Sequence, residues 1–273
     1  MDKYQLFQQL HLRTGAFVIP NPWDAGSARI LAALGYEALA TSSAGLAFSI
    51  GQQDSAARIS REAILQNAQD IVNATNLPVS ADLENGFGPD PESCAKTISL
   101  AAKTGLVGGS IEDATGDPNN PIFDFNLAVE RIAAAVEESR KHPFMLTARA
   151  ENFLHGKHDL DDTILRLQAF EKVGADVLYA PGLPDIAAIR TVCASVTRPV
   201  NVVMGLSGPT YSVSELEQAG VKRISVGGSF ARAALGGLMR AAREVKDHGT
   251  FTYAKDALSS SEAEKYIFTP PKN

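Results

Sequence analysis

Apolar and polar positions follow one repeating order along this chain. A short apolar run is followed by a turn, and then by a longer stretch with apolar residues at helical spacing. Residues 3–13 precede the repeat as an amphipathic helix with Leu6, Phe7 and Leu10 on one face. The runs predict strands over residues 16–20, 36–41, 107–111, 144–149, 176–180, 199–204 and 222–226. The third of the eight strands leads from Leu77, Pro78 and Val79 into the stretch 80–88, Ser-Ala-Asp-Leu-Glu-Asn-Gly-Phe-Gly. Helical patterns lie between them, over 24–34, 61–74, 91–103, 127–139, 160–173 and 184–195. A short helix starts after Ser212, which forms a capping box with Glu215, and a long one covers 230–245. Gly35, Gly105, Gly174 and Gly220 close four of these helices, as left-handed C-terminal caps do.

Eight strand–helix units with no linker between them predict a single TIM-barrel domain, (β/α)8, across residues 1–273. The barrel would occupy about 14–245, and the extension 246–273 would add a helix and a loose tail. A doubly wound open sheet is the alternative, but it seldom needs eight regular repeats. The long helix is apolar around much of its surface (Phe230, Leu235, Leu238, Met239), more than one barrel face buries. A dimer or tetramer is therefore expected, with this helix against a neighbouring subunit.

The barrel assignment fixes where chemistry should sit, at the C-terminal ends of the strands. The third strand ends in Asp82 and Glu84, which alternation places on one side, and runs into Asn85, Gly86 and Gly88. The fourth ends in Glu112 and Asp113, the fifth in Arg149 and Glu151, the seventh offers Asn201. Strand one leads to Asn21-Pro22-Trp23, strand two to Ser42-Ser43-Ala44-Gly45, and strand eight to Gly227-Gly228-Ser229. Oxygen ligands of this kind favour Mg²⁺ or Mn²⁺ over zinc. Carboxylates, one guanidinium and small-residue loops together suit a cation-chelated 2-oxo acid and its enolate. Each residue has a plainer reading too. Arg149 would serve as an ion pair with Glu151 or Asp113, Ser42 and Ser43 as helix caps, and Gly227-Gly228-Ser229 as tight packing. Asp54 either orients substrate or caps a helix. His155, close to the mouth, is a weak acid–base candidate.

Composition narrows the partners. Twenty-five Lys and Arg against 31 Asp and Glu leave a formal charge of −6, without basic or acidic blocks. That excludes neither enzyme nor binding protein, but it gives no support to nucleic-acid or membrane-surface binding. The expected partner is a small anionic carboxylate. Cys94 and Cys193 sit apart in apolar helical contexts and read as reduced, and no apolar run approaches membrane-spanning length. A cytoplasmic protein is expected.

The segments 41–45 (Thr-Ser-Ser-Ala-Gly), 82–86 (Asp-Leu-Glu-Asn-Gly), 111–113 (Ile-Glu-Asp) and 147–151 (Thr-Ala-Arg-Ala-Glu) resemble, in order and spacing, the isocitrate lyase/phosphoenolpyruvate mutase superfamily. The resemblance spans roughly residues 14–245. It implies a barrel whose last helix is exchanged between subunits of a dimer or tetramer, with Mg²⁺ (or Mn²⁺) and an enolate-like intermediate. It implies Asp82 as the main metal ligand, with Glu84 and Glu112 acting through metal-bound water. Ser43, Ala44 and Gly45 match the carboxylate-binding loop. Trp23 and Asn201, placed by the strand ends and not by the resemblance, are further substrate-binding candidates. Arg149 matches the substrate-binding arginine and Asp54 the acidic residue after the second strand. The loop after strand four departs from the lyase pattern: Ala114–Phe123 has no cysteine, histidine or lysine. Phosphonomutases of the superfamily carry lysine and asparagine there, and only Asn119 and Asn120 are present. Decarboxylation or a related C–C cleavage of a 2-oxo or 2-hydroxy acid is the leading expectation, as in oxaloacetate decarboxylase-like or methylisocitrate lyase-like members. P–C bond chemistry is the alternative, and a non-catalytic metabolite-binding barrel is third.

Overall fold

The computed structural model describes residues 1–54 and 58–268. Eight parallel strands form one sheet: β1 Phe17–Ile19, β2 Leu39–Ala40, β3 Val79–Asp82, β4 Gly108–Glu112, β5 Met145–Arg149, β6 Val177–Tyr179, β7 Val200–Val203 and β8 Arg223–Ser225. Their order, β1-β8-β7-β6-β5-β4-β3-β2, is that of a nearly closed (β/α)8 barrel. The helices are α1 Lys3–Leu12, α2 Ala25–Ala33, α3 Ser43–Ser49, α4 Arg61–Ala74, α5 Pro91–Ala102, α6 Phe125–Ser139, α7 Leu160–Val173, α8 Ile186–Ser195, α9 Val213–Gln218, α10 Ser229–His248 and α11 Ser260–Phe268. Of these, α3 was not expected from the hydrophobic pattern. It is short, starts at the N-cap Ser42, and carries small residues that give little periodicity.

The seam between β1 and β2 lacks a ladder and is closed by individual bonds instead. Ala40 donates its N–H to Pro20 O at 3.0 Å, and the Asn21 side chain spans the gap. Its Nδ2 donates to Thr41 O at 2.8 Å, while its Oδ1 accepts from the Val226 and Gly227 N–H groups, each at 2.9 Å. The expected C-terminal glycines all adopt left-handed backbone: φ is 91° at Gly35, 86° at Gly105, 108° at Gly174 and 96° at Gly220.

On both faces of β4, glycines make room where packing is closest. A Cβ on Gly109 would lie 2.6 Å from Leu83 Cδ1 and 2.9 Å from Phe144 Cζ. One on Gly108 would lie 3.0 Å from Phe7 Cε1 of α1, the helix that plugs the N-terminal end of the barrel. The plug also brings a histidine into the interior. Buried His11 contacts Phe7 O through Nδ1 at 2.8 Å and faces Arg223 Nη1 through Nε2 at 3.5 Å. Arg223 is itself buried, with no carboxylate partner among the described residues, and is held by Asn201 Oδ1 at 2.8 Å and Thr147 Oγ1 at 2.9 Å.

At the other end of the chain, α10 leaves the barrel surface. Only Ala231 of its twenty residues is buried, while Leu235, Leu238 and Met239 are exposed, as are Phe251 and Leu258 beyond it. The helix α11 folds back against α2, where Arg29 Nη1 donates to Ile267 O at 3.0 Å.

The His11 geometry predicts an acid-labile plug. Burial first, then the Arg223 charge, pushes its pKa from 6.5 down to about 3. A depressed native pKa adds stability above pH 6.5 that is lost as pH falls toward 3. The loss should approach one proton's worth, roughly 2–3 kcal/mol by pH 4.5. Denaturant titrations of wild type and His11→Gln between pH 7 and 4 should show the variant with the flatter profile; parallel profiles would overturn the assignment.

Candidate functional site

The C-terminal ends of the strands open on a cavity of about 450 Å³. Its chemistry is organised by Arg149, the last residue of β5. Alternation along Thr147-Ala148-Arg149 turns Thr147 and Arg149 to the barrel interior and Ala148 to the helix layer. The guanidinium then meets three carboxylates from three neighbouring segments. Nη1 lies 3.1 Å from Asp82 Oδ1, Nη2 3.1 Å from Glu112 Oε2, and Nε 2.9 Å from Glu151 Oε1. It stacks 5.0 Å from the centroid of the Tyr179 ring. Burial opposes the charge, but Glu151, Glu112 and Asp82 outweigh it and hold the Arg149 pKa well above the ordinary arginine value. Glu112 is driven the other way. Burial, with Glu151, Asp82 and Glu84 nearby, raises its carboxyl well above the usual range despite Arg149. Both plain and functional readings of Arg149 therefore meet in one arrangement: it is an ion pair, and it lines the cavity. Asp113 is not among its partners, because Arg166 Nη1 takes that carboxylate at 3.1 Å.

The second organiser is the start of α3. Ser42 caps the helix by accepting from Gly45 N–H at 3.1 Å, so its capping role is real. Ser43 and Ala44 stand at first-turn positions, whose N–H groups a helix does not satisfy internally, and both line the cavity. The Ser43 hydroxyl donates to Asp82 Oδ2 at 2.9 Å and lies 3.5 Å from Asp54 Oδ1. Asp54 lines the cavity as well; burial first, and then Asp82, raises its pKa. Asp82, Ser43, Asp54, Ala44 and Arg149 thus come together as the sequence predicts.

Other expected residues sit elsewhere. β3 ends at Asp82, so Glu84 does not share its strand face. Glu84 takes a left-handed conformation, φ 48°, and is buried behind the cavity wall, where its carbonyl accepts from Glu112 N–H at 3.0 Å. Gly45 is buried with its N–H on Ser42, and a Cβ there would lie 2.8 Å from Trp23 Cβ. Trp23 therefore packs behind the loop and is not part of the cavity wall. Asn120 is exposed in the turn after β4, where its carbonyl accepts from Thr115 Oγ1 at 2.6 Å; it stands outside the cavity. Asn201 does line the cavity, but both ends of its amide are engaged, by Arg223 and by Ser225 Oγ at 3.0 Å. Gly227 N–H is tied to Asn21, and a Cβ on Gly228 would lie 3.0 Å from Ala44 Cβ, so tight packing describes that loop better than a phosphate cradle. His155 is exposed.

Among the described residues, no group of three or more His, Cys, Asp or Glu side chains is arranged to hold a metal directly. Three carboxylates (Asp82, Glu112, Glu151) nevertheless surround a single guanidinium, and a fourth, Glu84, lies near Glu112. That surplus of buried negative charge and the all-oxygen donor set fit a hard cation reached through Asp82, with water completing its shell as Mg²⁺ prefers.

Two positioning residues escaped the sequence reading. Arg223 would have been visible as an interior position, since alternation pairs it with Ser225. Arg131 gives no such signal, lying in an ordinary helical stretch of α6. It is 1 % exposed and stacks 4.1 Å over the Phe123 ring. Its Nη1 donates to Gly88 O at 2.6 Å and Asp90 O at 3.4 Å, and its Nη2 to Asn85 O. It therefore pins the glycine loop that follows Asp82.

Comparison with known proteins gives this site its family. A crystal structure from Burkholderia cenocepacia J2315, provisionally a lyase/mutase, is 56% identical, with a TM-score of 0.95 over 98% of this chain and 96% of that one. A second from the same strain, provisionally a phosphonomutase, is 35% identical with a TM-score of 0.80, covering 89% of this chain and all of that one. The 2-methylisocitrate lyase of Escherichia coli (strain K12) is 28% identical over 207 residues, which are 72% of this chain and 69% of that enzyme. The profile of the phosphoenolpyruvate phosphomutase family matches residues 7–246, and the chain belongs to that family within the phosphoenolpyruvate mutase/isocitrate lyase superfamily.

Proposed function

We propose that this protein is a carbon–carbon lyase that cleaves or decarboxylates a small 2-oxo or 2-hydroxy carboxylic acid through an enolate-like state, with Mg²⁺ or Mn²⁺. The observation that carries the reading is Arg149, held beside Asp82 at the wall of the cavity and facing the first turn of α3. The 2-methylisocitrate lyase relative supports C–C chemistry. The phosphonomutase likeness favours P–C chemistry as a second reading. The segment after β4 argues against it, having no lysine and leaving Asn120 outside the cavity.

In this reading the substrate carboxylate rests on the N–H groups of Ser43 and Ala44, and the carbonyl side faces Asp82 and Arg149. A bound Mg²⁺ would be held by Asp82, with Glu84 and Glu112 behind it, and would supply Lewis-acid stabilisation of the developing enolate. Arg149 cannot lose its proton, so it contributes fixed positive charge where negative charge grows. Asp54, its carboxyl raised by burial and by Asp82, is placed to hold a proton and return it to the carbanion. We also propose that α10 and the segment after it cover a neighbouring subunit in a dimer or tetramer. What supports this is the run of exposed apolar side chains along them, Leu235, Leu238, Met239, Phe251 and Leu258, which a partner surface would bury.

Four measurements test these statements. Screening with Mg²⁺ should give pyruvate release from oxaloacetate, methylisocitrate or a substituted malate; pyruvate and phosphate released from phosphonopyruvate, with none of the others turned over, would favour the P–C reading. Asp82→Ala should abolish turnover with secondary structure retained, and full activity after chelation would sink the metal assignment. Arg149→Lys should lower kcat/KM by about one and a half to three and a half decades, the equivalent of ~2–5 kcal/mol for breaking a desolvated charge pair. It should also lower Tm, because lysine satisfies only one of the three carboxylates, so activity must be normalised to folded protein. Normalised activity within threefold of wild type would leave Arg149 as a brace. Light scattering at micromolar concentration should give at least a dimer, and Leu238→Glu with Met239→Glu should shift it toward monomer.

A further inference from the structure

Tyr179 is the last residue of β6, in register with Arg149 of β5 on one side and Asn201 of β7 on the other. Alternation along Val177-Leu178-Tyr179 turns it to the barrel interior, as it turns Arg149. Its ring lies against the Arg149 guanidinium at 5.0 Å, and the residue lines the charged cavity. A tyrosine set among buried groups ordinarily finds a partner for its O–H. Among the described residues the Tyr179 hydroxyl makes no hydrogen bond. Nor is it sealed off: the buried side-chain atoms left without a partner are Arg61 Nε, Arg131 Nε and Asn152 Oδ1. The hydroxyl therefore opens on the cavity.

The donors around it are already engaged. Each nitrogen of Arg149 is turned to a carboxylate. Arg223 gives Nε to Asn201 and Nη2 to Thr147, and Asn201 gives its amide N–H to Ser225. The Ser43 hydroxyl donates to Asp82. The phenol beside them still has its proton to offer. It also keeps that proton, because burial first, and then Glu151 and Asp82, raise its pKa against the pull of Arg149 and Arg223. A neutral O–H bonds a carbonyl oxygen modestly and an enolate oxygen strongly, since charge on the acceptor shortens and strengthens the bond. Such a contact favours the reacting state over the bound substrate.

We propose that Tyr179 is a catalytic residue whose hydroxyl donates a hydrogen bond to the enolate oxygen of the reacting acid. The proposal rests on the reading above, in which the substrate carbonyl faces Asp82 and Arg149, because the phenol enters the cavity on that side. No bond to tyrosine forms or breaks. The phenol holds its proton throughout, and the proton returned to carbon comes from Asp54. The competing role is a brace, with the ring merely steadying one face of the Arg149 guanidinium.

Tyr179→Phe separates the two roles, since phenylalanine keeps the ring on Arg149 and removes only the hydroxyl. The probes are oxalate, a planar dianion shaped like a pyruvyl enolate, and pyruvate, whose carbonyl oxygen is uncharged. Both are titrated by calorimetry into the full-length protein with saturating Mg²⁺. The variant should weaken oxalate by about tenfold to a hundredfold, the value of a hydrogen bond to a charged acceptor, and leave pyruvate and Tm unchanged. On whichever acid releases pyruvate, kcat should fall by about two to three decades while KM stays put, as for loss of one oxyanion donor. Tyr179→Leu, which removes the ring as well, should weaken oxalate no less than phenylalanine does. Wild-type oxalate binding by the phenylalanine protein, with only the leucine variant impaired, would overturn the hydrogen bond and leave the brace. Equal weakening of oxalate and pyruvate, or a lowered Tm in the phenylalanine protein, would overturn it too. Failure of oxalate to bind the wild-type protein would overturn the carboxylate site, and the role of Tyr179 with it.

Discussion

The guanidinium of Arg149 is the contact on which the rest of the site depends. It joins the ends of β3, β4 and β5 through Asp82, Glu112 and Glu151, and so fixes three strand ends relative to one another by charge and not by packing. An arrangement of this kind is costly to assemble in a buried setting, because every ion must leave water. Remove the cation and mutually repelling carboxylates remain; remove one carboxylate and the others still hold the arginine in place. The Ser43 hydroxyl extends the set to α3 by bonding Asp82, so the loop after β2 takes its position from the same centre.

The barrel itself is organised differently. Its floor rests on α1, where Phe7 meets Gly108 and His11 faces Arg223, and its seam rests on Asn21. These contacts are made by side chains at the two ends of strands only two to five residues long. Ladder hydrogen bonds in such strands are few, and the side-chain bonds at their ends complete the closure. Placing Arg223 and its neutral partners Asn201 and Thr147 inside the barrel costs apolar packing there, but it brings positive potential close beneath a mouth crowded with carboxylates.

Strand–helix periodicity and the helix-ending glycines made the barrel readable from the chain, because each repeat carries its own boundary signal. Asp82, Ser43 and Arg149 were readable for the same reason: strand ends have a fixed place in this architecture. Asp54, in the loop beyond α3, was reached through the resemblance instead. Glu84 was misplaced because alternation was carried two residues beyond the point where β3 ends, and no local signal marks a left-handed glutamate. Asn120 was assigned by resemblance and Trp23 from the end of the first strand; both give order along the chain but not the direction in which a loop folds. Arg131 was invisible for a deeper reason. Its role comes from carbonyl oxygens about forty residues away in sequence, and backbone acceptors leave no trace in a residue pattern.

That arginine has a mechanical consequence. A segment tethered at Asn85, Gly88 and Asp90 to a buried side chain of α6 behaves as an extension of that helix, with the stiffness of the helix layer behind it. The rim over β3 is then a fixed jaw. Substrate entry and product exit would then fall to the far rim, where Leu154 sits on the turn after β5 and Leu206 on the loop after β7, away from the anchored carboxylate.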